Sequence, residues 1–234
     1  MKDIPIPIQV PRVLTTTIFT ILFVVIAIIS IYKLTHGDAV ASPTRSEQRT
    51  VDLAGINVFM GIDRSMSARA LLPSFAHSAA AVGANQADGT ELRLYTLDFE
   101  SQEFYSGQPE GEGELLDRIV AAVRRKPVKN GTVPETFWND ALLGVETSNK
   151  PAAILLYSDG DVDATDPKSI AKLNGTISKL AGRPNVLYVA AIGVRPENRR
   201  AMRLLLAPFG KRATIEETTV TSLGAVADNV DRQN

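Results

Sequence analysis

The residues of this chain with the types and spacing to do chemistry are oxygen ligands. Asp63, Ser65 and Ser67 form an Asp-x-Ser-x-Ser run directly after the apolar stretch 56–62, INVFMGI. A second apolar stretch, 152–158, ends in Asp159-Gly160. Continuous apolar runs of this length suit strands covered on both faces. In an open α/β sheet, ligands bind beyond the C-terminal ends of the strands. If the two strands are neighbours, with axes about 4.8 Å apart, their carboxylates repel and shift each other's pKa. A divalent cation relieves that conflict, and an all-oxygen ligand set suits a hard ion such as Mg²⁺. Asp and Ser after a strand also serve as turn and helix-cap residues, so the first run alone leaves both readings open.

Composition narrows the chemistry. The 234 residues allow one domain plus an appendage, and 44% hydrophobic content supports a sizeable core. A net charge of −1 implies no general attraction to nucleic acid. With no cysteine there is no disulfide, thiolate metal site or cysteine nucleophile. The two histidines, His36 and His77, stand outside any nucleophile–base arrangement. Asp63-Arg64-Ser65 lacks the second aspartate that a phosphatase of the haloacid dehalogenase type places after its first strand. No phosphate-binding loop or dinucleotide glycine pattern occurs. A binding role, not catalysis, is the expectation.

The chain is organised as a short tail (1–12), an apolar helix (13–34), a linker (35–50) and a domain (51–234). Residues 13–32 are 20 consecutive uncharged residues between Arg12 and Lys33. A helix of that length spans about 30 Å, the thickness of a bilayer core. It is read as a single transmembrane anchor. Ala39-Val40-Ala41 resembles a signal-peptide cleavage site, but it lies beyond Lys33 and well past the apolar run. Lys2 and Arg12 on one side nearly balance Lys33 and Arg45 on the other. The short tail is expected in the cytoplasm and the domain outside it, in the periplasm or at the cell surface. The linker is polar, with Gly, Pro and Ser.

Strands and helices alternate through the domain, the pattern of a Rossmann-like, doubly wound, mostly parallel sheet. Helices are expected from Pro73 to Gln86, over 114–126, as a short piece through Ala141 and Leu142, over 167–181, over 197–207 and over 222–230. Strands are expected over 91–99, 186–193 and 212–216, with a short hairpin or edge strand near Glu103 to Tyr105. Arg124, Arg125 and Lys126 read as a basic helix terminus complementing the helix dipole. Asp98 reads as a turn residue, with a supporting role behind the ligands at the strand ends as the lesser alternative, and Asp161 and Asp163 as solvated loop carboxylates.

These residues resemble the von Willebrand factor type A domain with its metal-ion-dependent adhesion site. The family's strand ending in Asp-x-Ser-x-Ser matches Asp63, Ser65 and Ser67. Its later strand ending in Asp-Gly matches Asp159-Gly160 in LLYSDG. Its mid-domain threonine matches Thr136, ahead of Ala141-Leu142 in TFWNDAL, with Thr132 as a rival that requires an insertion. Pro134-Glu135 stands where the family often has Gly-Gly, and Met66 where many relatives have glycine. The likeness runs over roughly 53–231. It implies a divalent ion, Mg²⁺ or else Mn²⁺ or Ca²⁺, held by Asp63, Ser65, Ser67, Thr136 and Asp159, directly or through water. One coordination position stays open for an acidic residue of a protein partner, as in adhesion. An alternative role is assembly of a larger membrane complex around a structural metal. A metal-dependent hydrolase is the more distant alternative. Trp138 beside the metal loop is expected to be a core aromatic.

Overall fold

The computed structural model describes residues 55–98, 101–125, 135–148, 150–161 and 167–216. The chain divides into two units, 1–44 and 45–234, and every described residue belongs to the second. The expected tail, apolar helix, linker, Thr132 and closing helix at 222–230 lie outside the described residues. Among the described residues no helix is long and apolar enough to cross a membrane.

Six strands form one sheet: β1 (Asn57–Asp63), β2 (Glu91–Leu97), β3 (Gln102–Gly107), β4 (Ala152–Tyr157), β5 (Val186–Ile192) and β6 (Ala213–Glu216). Their order is β3-β2-β1-β4-β5-β6. All pairings are parallel except β2 with β3, which run antiparallel at one edge. Among the described residues five α-helices accompany them: α1 (Leu72–Ala84), α2 (Glu112–Val123), α3 (Glu135–Thr147), α4 (Pro167–Ala181) and α5 (Arg199–Leu206).

The apolar runs are continuous because both faces of the sheet are covered. Every residue of β1 and of β4 is buried. Side chains alternate along each strand. Val58, Met60 and Ile62 therefore join Phe75, Ala76 and Leu115 of α1 and α2 on one face. Phe59 points the other way, into a cluster with Phe137, Trp138, Ile177 and Met202 from α3, α4 and α5. Gly144 lets α3 sit close to β1, since a Cβ there would come within 2.6 Å of the Phe59 ring.

Several boundaries differ from expectation: α1 ends at Ala84 and not Gln86, β2 ends at Leu97 and not 99, and α2 begins at Glu112 and not 114. α2 stops at Val123, with Arg124 as its C-cap, so Arg125 falls beyond the helix, while Lys126 lies outside the described residues. α3 starts at Glu135 and runs 13 residues, which puts Thr136 in a helical first turn and not at the end of a loop. The reason is local: residues 135–147 carry Phe137, Trp138, Ala141 and Val145 at spacings of one, three and four, which bury one continuous helical face.

Candidate functional site

β1 and β4 are neighbours, and the chain leaves them toward opposite sides of the sheet: β1 leads to β2, whereas β4 leads to β5. That reversal opens a crevice beyond their C-terminal ends, the common ligand position in such sheets. Asp63 is the last residue of β1, and Asp159 follows β4 by two residues. Both are fully buried. Ser65 and Ser67 are on the turn after β1, with their hydroxyl oxygens 3.1 Å apart. The structure thus brings four of the five sequence-predicted residues to one strand edge.

The hydrogen bonds explain the shape of this turn. The Ser65 backbone N–H donates to Asp63 Oδ1 at 2.8 Å, folding the chain back on the carboxylate. The Ala68 N–H donates to Ser65 Oγ at 3.4 Å. On the neighbouring strand, Ser158 Oγ donates to Asp63 Oδ2 at 2.7 Å. Gly160 then takes a left-handed conformation (φ 83°), and a Cβ there would lie 2.8 Å from Val194 Cγ1. Only glycine fits such a turn without strain.

The electrostatics of the site are set by two buried carboxylates side by side. Burial pushes the Asp63 carboxyl above the ordinary carboxylate range, the neighbouring Asp159 adds to the rise, and the Ser65 and Ser158 donors oppose it. Asp159 Oδ1 accepts from the Asp161 N–H at 3.1 Å, while its buried Oδ2 has no hydrogen-bond donor. Arg195 Nε is 3.6 Å from that oxygen. Arg195 also donates to the Ser67 carbonyl at 2.6 Å, so it bridges the two halves of the site. A buried carboxylate oxygen without a donor has room for a further partner, a water or an ion.

The donor set fits a hard divalent ion. It consists of two carboxylates and two hydroxyls, all oxygen. Among the described residues no group of three or more carboxylates and imidazoles comes together, so an ion here depends on the serine hydroxyls as well. Thr136 is exposed in the first turn of α3 and makes no hydrogen bond to the other four among the described residues. Trp138 is fully buried, 5.5 Å from the Phe137 ring and stacked 6.2 Å from Phe209, as a core aromatic. His77 is exposed on α1.

Two participants escaped the sequence reading. Ser158 holds Asp63 because the β1–β4 register pairs Ile62 with Tyr157, placing the next residues side by side. Arg64, the residue between the two motif positions, is buried and donates to Asp98 through Nε at 2.8 Å and Nη2 at 2.5 Å. Its Nη1 donates to the carbonyls of Ala122 and Arg125 at the end of α2. Asp98 is therefore a buried ion-pair partner, not a turn residue. The register again supplies the reason: Asp63 pairs with Leu97, so Arg64 meets Asp98.

No protein-family model and no curated protein matches the sequence. Solved structures do match the fold. A von Willebrand factor type A protein from Catenulispora acidiphila superposes with a TM-score of 0.51 at 14% identity, over 77% of this chain and 42% of that one. The D319A mutant of the PilB minor pilin from Streptococcus sanguinis gives 0.53 at 12% identity, over 77% and 61%. Proximal thread matrix protein 1 from the mussel byssus gives 0.52 at 13% identity, over 77% and 46%. This chain spans less than two thirds of the length of each. The α/β architecture is that of the von Willebrand factor type A fold.

Proposed function

We propose that this domain is a metal-dependent protein-binding module. The observation that carries the reading is the pair of buried carboxylates at the β1–β4 switch point. One of them keeps an oxygen without a hydrogen-bond donor, beside two serine hydroxyls 3.1 Å apart. Asp63, Ser65, Ser67 and Asp159 would hold a divalent cation, Mg²⁺ first, with Thr136 added from the start of α3. When bound, the ion supplies a Lewis-acidic position that a partner's Asp or Glu carboxylate can occupy. The protein's own contribution is placement. Ser158 and the Ser65 N–H fix the Asp63 carboxylate, the Gly160 turn aims Asp159, and Arg195 ties the Ser67 carbonyl to the Asp159 loop.

In this reading the domain is extracytoplasmic, tethered by the apolar segment 13–34, and does no chemistry on its partner. Support for the first part is sequence-based: 20 uncharged residues followed by a polar linker. Support for the second is that no histidine among the described residues stands at the site; His77 is exposed on α1.

The test is calorimetric titration of the full chain with Mg²⁺ and Mn²⁺, beside Asp63→Ala and Thr136→Ala. The expected result is one saturable site, lost in Asp63→Ala and weakened in Thr136→Ala, in variants that keep the wild-type circular dichroism spectrum. A folded wild-type chain that binds no divalent ion would overturn the reading. Metal binding with a partner that still attaches in EDTA would move the domain to the assembly role, with a structural ion.

A further inference from the structure

A second surface opens beside the metal loop. α1 and α2 pack together on one face of the sheet and leave a groove of about 690 Å³ between them. Its floor is apolar. Leu116, Val120 and Val123 recur along α2 at helical spacing, all half-buried, and Leu72 of α1 faces them across the groove. This stripe covers about 10 Å of helix, at 1.5 Å per residue. Its upper end is Met66, which is 63% exposed although it stands between the two serines of the metal loop.

The rim is cationic on both sides. Arg69 rises from the turn before α1, and Arg124 and Arg125 from the end of α2; all three are exposed. Among the described residues none of the three forms an ion pair, and no Asp or Glu lines the groove. A helix C-terminus accounts for Arg124 and Arg125. It does not account for Arg69, which reaches the same groove from another element. Arg64 contributes no free charge, since Asp98 neutralises it.

We propose that this groove docks an acidic, amphipathic helical segment of the protein partner. Half-buried apolar residues at helical spacing offer the contact that a third helix fills, at the usual 8–10 Å axis separation. Arginines on both rims, with no ion pair among the described residues, select a segment whose flanks carry Asp or Glu. A flat anionic membrane surface meets the rims but cannot reach the concave floor, so a rod-like protein segment is the better complement. The proposal rests on the binding-module reading in one respect: the groove ends at Met66, so a docked segment lies beside the metal site and can present a carboxylate to it.

The experiment is selection of a displayed library of random 16-residue peptides on the full chain in detergent, run in parallel with Mg²⁺ and with EDTA. Enriched peptides are then synthesised and measured by fluorescence anisotropy against wild type, Arg69→Glu/Arg125→Glu and Val120→Asp. The expected winners carry apolar residues three and four apart with Asp or Glu between them. They lose at least tenfold in affinity to the charge-reversed variant, while its thermal melt stays that of wild type. Their Glu→Gln versions lose a similar factor. Winners without acidic residues, or winners indifferent to the charge-reversed variant, overturn the proposal. So does binding of phosphatidylglycerol vesicles that requires the same arginines when no acidic peptide is selected. The two readings separate cleanly. Groove-dependent peptides that bind equally in EDTA uphold the groove and remove the metal from recognition. Peptides that require Mg²⁺ but ignore the groove substitutions uphold the metal and remove the groove.

Discussion

Two acidic positions lie one strand apart at the same edge of the sheet, and the fold treats them in opposite ways. At the end of β2, buried Asp98 faces the guanidinium of Arg64, which makes two hydrogen bonds to it and two more to the end of α2. At the ends of β1 and β4, Asp63 and Asp159 stand together, and Arg195 Nε is 3.6 Å from Asp159 Oδ2. The first position is complete and serves the fold. The second holds two buried carboxylates together and leaves Asp159 Oδ2 without a hydrogen-bond donor, an arrangement that a ligand, a proton or a counter-charge stabilises. The contrast separates a carboxylate held in an ion pair from a pair of neighbouring carboxylates, where sequence alone shows an aspartate at each of three strand ends.

The largest effect that would sharpen this contrast is on the completed pair. Asp98→Ala leaves the Arg64 guanidinium buried without its counter-ion and should cost about 3–5 kcal/mol of stability, read by urea denaturation. Arg64→Met combined with Asp98→Leu should recover most of that loss, because a well-packed apolar pair often replaces a buried ion pair. A loss below about 1 kcal/mol for Asp98→Ala would break the comparison, since the two positions would then behave alike.

At the second position the expectation reverses. Asp63→Asn should weaken divalent-ion binding by at least about 100-fold. Yet the metal-free protein should melt no lower than wild type, because a buried repulsion is removed. Calorimetry and a thermal melt in EDTA check both halves. A melt lowered as far as that of Asp98→Ala would make Asp63 structural as well.

The pH dependence follows from the direction of the Asp63 shift. Its carboxyl titrates above the ordinary value of 3.8 in the folded chain, mainly through burial. The unfolded chain therefore loses this proton first, and the folded state binds more protons in the window between the two values. Stability of the metal-free protein is favoured by this group below the ordinary value and falls as pH rises through the folded value. A divalent ion should restore the stability above that window, and its affinity should weaken as pH falls into it. Denaturation in EDTA and in Mg²⁺ across mildly acidic pH reads this out, and Asp63→Asn should flatten the wild-type slope.

The smallest expected effect concerns Arg195. Its side chain is 41% exposed, so its charge acts on the site through screened contact. Arg195→Gln should raise metal affinity by about threefold at low salt, with the gain shrinking as salt is added. A large loss of affinity would mean that its bond to the Ser67 carbonyl, and not its charge, matters most to the site.

Much of this organisation is legible in the chain itself. Residues 57–63 and 152–157 read as buried strands because a sheet covered on both faces needs side chains that are apolar in both directions. Asp63, Ser65, Ser67 and Asp159 stand out because oxygen-bearing residues follow those runs abruptly. What stayed hidden depends on lateral register. Ser158 looks like the polar end of a strand, Arg64 like a spacer and Asp98 like a turn. Each acquires its role only when parallel strands are aligned residue by residue. The groove between α1 and α2 is hidden for the same reason: Arg69 and Arg125 are far apart in sequence, and no local pattern joins them.

By itself, then, the sequence determined the alternation of strand and helix, the two strand ends that carry carboxylates and the oxygen-only character of the site. These are properties of periodicity and residue type, set by local geometry and the need to bury apolar surface. Only the tertiary structure decided which strands are neighbours. That adjacency puts Asp63 against Ser158 and Asp159, and Arg64 against Asp98. It also opened Thr136 to solvent at the start of a helix and turned the α1–α2 face into a basic groove. Those outcomes rest on long-range pairing across the sheet, where a shift of one residue would turn every one of these side chains to the opposite face.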